Sequence, residues 1–235
     1  DQKPITAIMF CVLLLAESAT NATITLNQLS YVSHSDYHTY TETLRNGVNA
    51  IESKHSGTYR IGKTMLRTKN DAMQIGYMGT DQFNSMFEPS VPKLFGQLGQ
   101  SAGDGFVAYT NGTVITDAFL NLKYWLNPKF DSSTSDPFIP QVSERPDLFG
   151  YGNTGYTKIG HTKDLALYQN PNALGLGFAA STQILKTKLI DGMPIVNQEL
   201  LLSALTGTNF ETVFHKQYLS EPVLKEAAWS GATVK

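Results

Sequence analysis

The chain has 235 residues, 41% hydrophobic and 16% charged, with a formal net charge of -2. That length can bury a core in one large or two small domains, and the sparse charge and 11% aromatic content exclude a disordered chain. The near-neutral balance excludes a nucleic-acid partner, and a single cysteine, Cys11, excludes a disulfide framework and a cysteine-based zinc site.

The first element is the apolar run Ile5 to Ala16, ITAIMFCVLLLA. It is about twelve residues long, short of the roughly 20 that cross a bilayer. A signal-peptide core and a buried helix are alternatives, but the segment AESATNA makes a poor cleavage site. The preferred reading is the end of a transmembrane helix, over residues 1–20, that begins upstream. Lys3 precedes the run and the next basic residue is Arg45, so the positive-inside rule places the following chain on the outer face. Residues 21–38 then read as a polar tether, and residues 39–235 as an extracytoplasmic domain cut short at its C-terminus.

Thr39-Tyr40-Thr41-Glu42 has the spacing of a capping box, and Leu44, Val48 and Ile51 recur on one helical face, with Gly57 closing the segment. Thr58–Leu66 and Ala72–Met78 read as strands. Ser90 and Pro92 open a helix with Leu94, Phe95 and Leu98 on its apolar side, and Gly99 at a left-handed cap. Phe106–Tyr109 reads as a strand, Asn111-Gly112 as a tight turn between strands, and Thr116-Asp117 as the start of a helical turn. Asn121–Leu126 is apolar enough for a buried strand. Lys129–Gly155, rich in Pro, Ser, Asp and Gly, reads as a long loop. Asp164–Asn170 alternates as a strand ending in a turn, and LGLGFAAS and QILKTKLI are further strand candidates. Asn197 caps a helix through Leu205, with Gly207 as terminator. About seven strand candidates interspersed with helices predict an α+β fold, a mixed β-sheet with flanking helices.

Several stretches resemble catalytic motifs. Leu98–Gly105, LGQSAGDG, contains G-x-S-x-G, the nucleophile-elbow pattern of serine hydrolases. An elbow needs a strand before the serine and a helix after it; here a helix precedes Ser101 and a strand follows. Asp164 and His215 could complete a triad by chain order alone. Gly150–Gly155 matches G-x-G-x-x-G, but the next residues, YTKIGHT, are not helical, and Gly175-Leu176-Gly177 also lacks a following helix. His34 and His38 are spaced for one helical face, yet no third metal ligand lies near them in sequence. Asp117 and Glu199 sit where helix starts favour an anion. Tyr59-Arg60 and Lys123-Tyr124 each place a cation beside an aromatic on a predicted strand. Neighbours on a strand point to opposite faces, so one of each pair can be buried while the other is available.

Taken in order, these stretches resemble the YfhO family of bacterial polytopic membrane proteins. The apolar run with Glu17 and Asn21 is similar to the end of a spanning helix. SGTYRI resembles the family's Tyr-Arg strand, and GYMGTDQFNS its Tyr-x-Gly stretch, with Tyr77, Gly79, Phe83 and Ser85. ITDAFLNLKYWL resembles its Lys-Tyr strand. LALYQNPNALGLGFAAS resembles its Tyr-x-Asn turn and Gly-Phe strand, with Tyr168, Asn170, Leu174, Gly177 and Phe178. VNQELLLSALTG resembles the helix after that. The likeness spans Ile5 to Gly207; Gly175 stands where the family often has proline.

The resemblance implies relatedness to glycosyltransferases that use a polyprenyl-phosphate sugar on the outer face of the bacterial cell membrane, and a link to glycosylation of cell-surface polymers such as lipoteichoic acid. It implies that this segment carries no catalytic residue, cofactor or metal of its own. Its partners would be membrane lipid, the transmembrane part of the parent protein and the glycopolymer. Tyr59, Arg60, Lys123 and Tyr124 are the candidate binding residues, a cation pairing with phosphate while a ring covers a sugar face; the alternative reading of the same four is that they only hold the sheet together. The alternative is a membrane-anchored surface carbohydrate-binding or adhesion module.

Overall fold

The computed structural model describes residues 3–29, 31–129, 143, 145–149 and 155–208. The chain divides into two compact units, Asp1–Thr41 and Glu42–Lys235.

The first unit is dominated by helix α1, Lys3–Gln28. The helix runs past the apolar stretch into the segment read as a tether. The hydroxyls of Thr20 and Thr23 donate to the carbonyls of Ala16 and Ala19, each at 2.8 Å, so the polar residues are satisfied within the helix. Ile8, Phe10, Leu13 and Leu15 are all exposed. Helix α2, His34–Glu52, also begins earlier than expected. Ser33 accepts from the Asp36 amide at 3.1 Å and takes the capping role, which leaves Thr39 and Glu42 inside the helix.

The second unit is α+β, with β1 (Arg60–Lys63), β5 (Leu122–Pro128), β6 (Thr157–His161) and β7 (Leu165–Gln169) in one mixed sheet ordered β1-β5-β7-β6. β1 runs parallel to β5; β7 is antiparallel to both its neighbours. β5, the strand expected to be buried, lies inside the sheet. Leu44, Val48 and Ile51 of α2 are buried, as their spacing predicts. α2 comes close to the sheet at Gly47, where a Cβ would lie 2.7 Å from Leu165 Cδ1 and 3.1 Å from Leu126 Cδ2.

Trp125 points to the opposite face and packs into a cluster with Phe95, Val107, Tyr109, Leu148 and Tyr156. These residues come from α4 (Ser90–Gln97), from the small antiparallel sheet β2-β4-β3 (Gln82–Phe83, Phe106–Ala108, Ser101–Gly103), and from a 3-10 turn at Pro146–Phe149. The short helices α3 (Asp71–Ile75) and α5 (Val114–Phe119) and the final helix α6 (Pro194–Thr206) complete the described fold.

The differences from the sequence reading have local causes. Residues 72–78 are not a strand. Asp71 accepts from the amides of Arg67 and Thr68 at 3.2 Å and starts α3, and Gly76, at φ 92°, ends it. Asn111-Gly112 leads into α5 rather than a second strand, because Thr113 and Thr116 form a reciprocal capping box. LGLGFAAS is irregular, and within QILKTKLI the Ser181 hydroxyl starts a 3-10 turn at Thr182–Lys186. Asn197 lies in the first turn of α6, which opens on Pro194. β6 has no counterpart among the strands the sequence predicts, because it is an edge strand without a buried face and carries no apolar alternation.

Gly62 faces Trp125 so closely that a Cβ would lie 2.8 Å from the indole ring. The ring is buried and cannot rotate away, so Gly62→Ala is expected to destabilise the fold by about 1–3 kcal/mol. A fall in the urea midpoint with an unchanged slope is the measurement that checks it.

Candidate functional site

The four residues singled out by sequence meet at the start of the β1/β5 pair, where Arg60 is in register with Leu122 and Ile61 with Tyr124. Tyr59 packs edge-on against Tyr124, ring centroids 4.7 Å apart, and His55 lies 4.8 Å from Tyr124 on a tilted ring. Both tyrosines are buried. The Tyr59 hydroxyl donates to the His55 carbonyl at 2.9 Å, and Arg60 Nη1 donates to the Leu120 carbonyl at 2.7 Å. Burial lowers the Arg60 pKa from its ordinary value. Asn121, in the left-handed region at φ 58°, accepts from the Arg60 amide through its side chain and donates to the Leu174 carbonyl. Lys123 is half-buried; its Nζ lies 5.8 Å from the Tyr124 ring centre, and among the described residues it has no carboxylate or carbonyl partner. The two tyrosines are packed together and Arg60 spends one N–H on a carbonyl, while neither Arg60 nor Lys123 has a carboxylate partner among the described residues.

The strongest electrostatic feature lies elsewhere and was not legible as such. Asp117, on α5, is fully buried. It accepts from Arg145 Nη2 at 2.7 Å, from the Tyr109 hydroxyl at 2.6 Å and from the Tyr156 hydroxyl. Arg145 also holds Asp147, with Nη2 to Oδ2 at 2.6 Å, and its guanidinium lies 4.4 Å from the Trp125 ring centre. Burial pushes the Asp117 carboxyl above its usual range, although Arg145 and the two phenols pull it back. Burial opposes the Arg145 charge, but the bonds to Asp147 and Asp117 outweigh it and raise its pKa. Gly112 leaves room for this arrangement: a Cβ there would lie 2.5 Å from Arg145 Nη1.

A second buried cation, Lys63 on β1, donates to Asp81 at 3.1 Å and to the Met65 carbonyl at 3.0 Å, and lies 3.3 Å from Asp71. The two clusters are joined through Tyr109, whose amide donates to Asp81 at 2.6 Å while its hydroxyl reaches Asp117. With every member paired and Asp117, Arg145, Lys63 and Asp71 buried, these groups suit a structural role better than proton transfer to a substrate.

The motif candidates resolve by placement. Ser101 is the first residue of β3, after α4 and before a hairpin to β4, the reverse of an elbow. Asp164 lies just before β7, and His215 is outside the described residues. So are positions 150–154 of the glycine motif; the chain after Gly155 enters strand β6 rather than a helix. His34 and His38 do share a face of α2, ring centroids 6.2 Å apart, and among the described residues no group of three metal-ligating side chains occurs.

Removing Asp117 strands a buried guanidinium. Asp117→Ala is therefore expected to cost about 3–5 kcal/mol, read from denaturant unfolding. The phenols give a pH dependence. Burial, then the Asp117 charge, raises Tyr109 and Tyr156 above their ordinary value of 10.0. A pKa raised by folding contributes stability that is complete below the unfolded value and is lost as pH rises through the folded one. Stability is thus expected to fall above about pH 10. In a Tyr109→Phe/Tyr156→Phe variant the decline is expected to be shallower, by up to about 1.4 kcal/mol per pH unit for each phenol. Urea midpoints measured across the alkaline range check both the sign and the slope.

No curated protein and no solved structure matches the chain. The family described as Bacterial membrane protein YfhO matches residues 1–235. α1 is in keeping with that description: Pro4–Gln28 is long and apolar enough to cross a membrane, and none of its apolar window is buried. The chain belongs to the YfhO family of bacterial membrane proteins.

Proposed function

We propose that this chain is an extracytoplasmic portion of a YfhO-type membrane protein that glycosylates cell-surface polymers, such as lipoteichoic or teichoic acid, from a polyprenyl-phosphate sugar. In this reading α1 lies in the bilayer, the unit from Glu42 onward faces the outside, and the reacting carboxylate belongs to another part of the parent protein. The α+β unit holds the acceptor polymer near the donor. The observation that carries the reading is the family match over the whole sequence, joined to a 25-residue exposed apolar helix. At 1.5 Å per residue such a helix is about 38 Å long, more than the roughly 30 Å of a hydrocarbon core. Lys3 precedes it and no basic residue follows until Arg45, a distribution that favours an outward-facing second unit. Lys123 supplies a positive charge for a polymer phosphate, its Nζ 5.8 Å from the Tyr124 ring centre, on a strand whose register with β1 is set through Leu122 and Tyr124.

Two measurements test this. Met86 is strongly exposed in the second unit. In a Cys11→Ser background, Met86→Cys is expected to react with a membrane-impermeant maleimide on intact cells; labelling only after lysis would reverse the topology. Deleting the gene is expected to lower the sugar content of the wall and lipid-anchored polymers, and Lys123→Ala to lower it partially at normal protein level. Unchanged polymer sugar in the deletion strain would end the glycosylation reading.

A further inference from the structure

The second unit carries a groove of about 650 Å³ that none of the features above uses. Its volume falls within the roughly 300–1,000 Å³ of small-molecule sites. Three walls enclose it. The first is the segment at Ser85 and Phe87, tied to the β3–β4 hairpin by the Asn84 amide donating to the Gly105 carbonyl at 2.8 Å. The second is the outer face of α4, with Pro92, Lys93, Gly96 and Gln97. The third is the loop at Asp191.

The walls are held from behind. Asn197, fully buried on α6, donates to the Gln97 carbonyl at 2.8 Å and to the Ile190 carbonyl at 2.7 Å, and accepts from the Ile190 amide at 2.7 Å. One amide side chain thus fixes the Asp191 loop against the end of α4. Gln97 Nε2 then donates across to Asp191 Oδ1 at 2.8 Å. The result is a preset gap lined by an amide–carboxylate pair, in place of a loop free to close on itself.

Gly96 is the last residue but one of α4, and the left-handed position after the helix is taken by Gly99, not by Gly96. Its φ is not positive, and a Cβ added there meets nothing within 4 Å. Neither backbone geometry nor packing requires glycine at this position. What the missing side chain provides is open floor in the groove.

The lining chemistry selects a ligand. The side chains of Ser85, Lys93 and Asp104 line the groove with no hydrogen-bond or ion-pair partner among the described residues. Asp104 and Asp191 outnumber Lys93, so the groove is net negative and disfavours a phosphate or another anion. Phe87 and the prolines present flat apolar faces between these polar groups. Apolar pads alternating with carboxylate, amide and hydroxyl groups suit a pyranose, whose C–H faces are apolar and whose rim is hydroxyl. We propose that this groove binds neutral sugar residues of a glycan, with Asp104, Asp191 and Gln97 reading hydroxyls and Gly96 admitting the ring. The inference rests on the glycopolymer reading above and assigns the part of the unit that would hold the sugars, apart from Lys123.

The test uses the full chain in detergent micelles, probed by hydrogen exchange with cellotetraose, chitotetraose and maltotetraose, each at about 10 mM, enough to detect millimolar affinity. At least one is expected to protect residues 84–105 and 190–192. Gly96→Leu and Asp104→Ala are each expected to weaken that protection tenfold or more. Gly96→Ala is expected to raise the thermal midpoint, which shows that the position is not held by folding. Protection by none of the three sugars, protection elsewhere only, or protection indifferent to both Gly96→Leu and Asp104→Ala overturns the proposal. The two readings fail separately: if gene deletion alters polymer sugar but Gly96→Leu does not, the groove assignment falls and the glycosylation reading stands. If the sugars bind at the groove but deletion leaves polymer sugar unchanged, the reverse holds.

Discussion

The Asp117–Arg145 pair is the constraint around which the second unit is arranged. Its members come from α5 and from the turn before Pro146–Phe149, and its phenol donors from the end of β4 and the start of β6. None of these pieces is long. α5 has six residues and β4 three, too short to hold themselves by helix or ladder bonds alone. A charge that cannot be left unpaired in a dry interior forces them to meet in one geometry. The Trp125 ring under Arg145 ties that geometry to the central strand, so the polar cluster and the apolar core specify the same arrangement.

Lys63 works in the same way on the parallel edge of the large sheet. It draws in Asp71 at the start of α3 and Asp81 before β2, and Asp81 in turn fixes the Tyr109 amide. The small sheet, which buries little of its own, is thereby hung from the large one through two cations and one tyrosine. Such networks are worth little net energy compared with well-packed hydrocarbon. Their effect is to exclude alternative registers and helix positions, which matters in a unit built from short strands and glycine-rich turns.

These features also decide what was legible in the sequence. β5 and β7 were readable because they lie inside the sheet and carry continuous apolar residues; the inner face of α2 was readable from the spacing of Leu44, Val48 and Ile51. Gly99 and Gly207 take the left-handed conformation that their places after helices predict. α3 was misread because the side chain of Asp71, acting on amides three and four residues back, outweighs a short alternating pattern. β6 was missed because an edge strand has no hydrophobic signature. Arg145 could not be found at all: its partner Asp117 lies far away in sequence, inside what reads as a cap, and no local pattern records a pairing of that span. Of the corner residues, sequence yields two separate cation–aromatic pairs; it could not show that β1 and β5 bring them together, nor that the Tyr59 hydroxyl and one Arg60 N–H are used by the carbonyls of His55 and Leu120.

The same bookkeeping of polar groups separates structure from function across the unit. Asp117, Arg145 and Lys63 are buried, and their charges are already paired within the unit. Unused capacity is found at the surface, at Lys123 beside the tyrosine corner and at Ser85, Lys93 and Asp104 around the groove. The two places differ in sign. One presents a cation next to aromatic rings; the other presents carboxylates and an amide over an open glycine floor. A phosphate-bearing glycan contains both chemistries, anionic links and neutral rings. Under the proposed reading, a surface that offers a cation at one place and a net-negative sugar-sized gap at another would discriminate such a polymer from a simple polyanion, which the groove would repel, and from an uncharged polysaccharide, which would leave Lys123 without a partner.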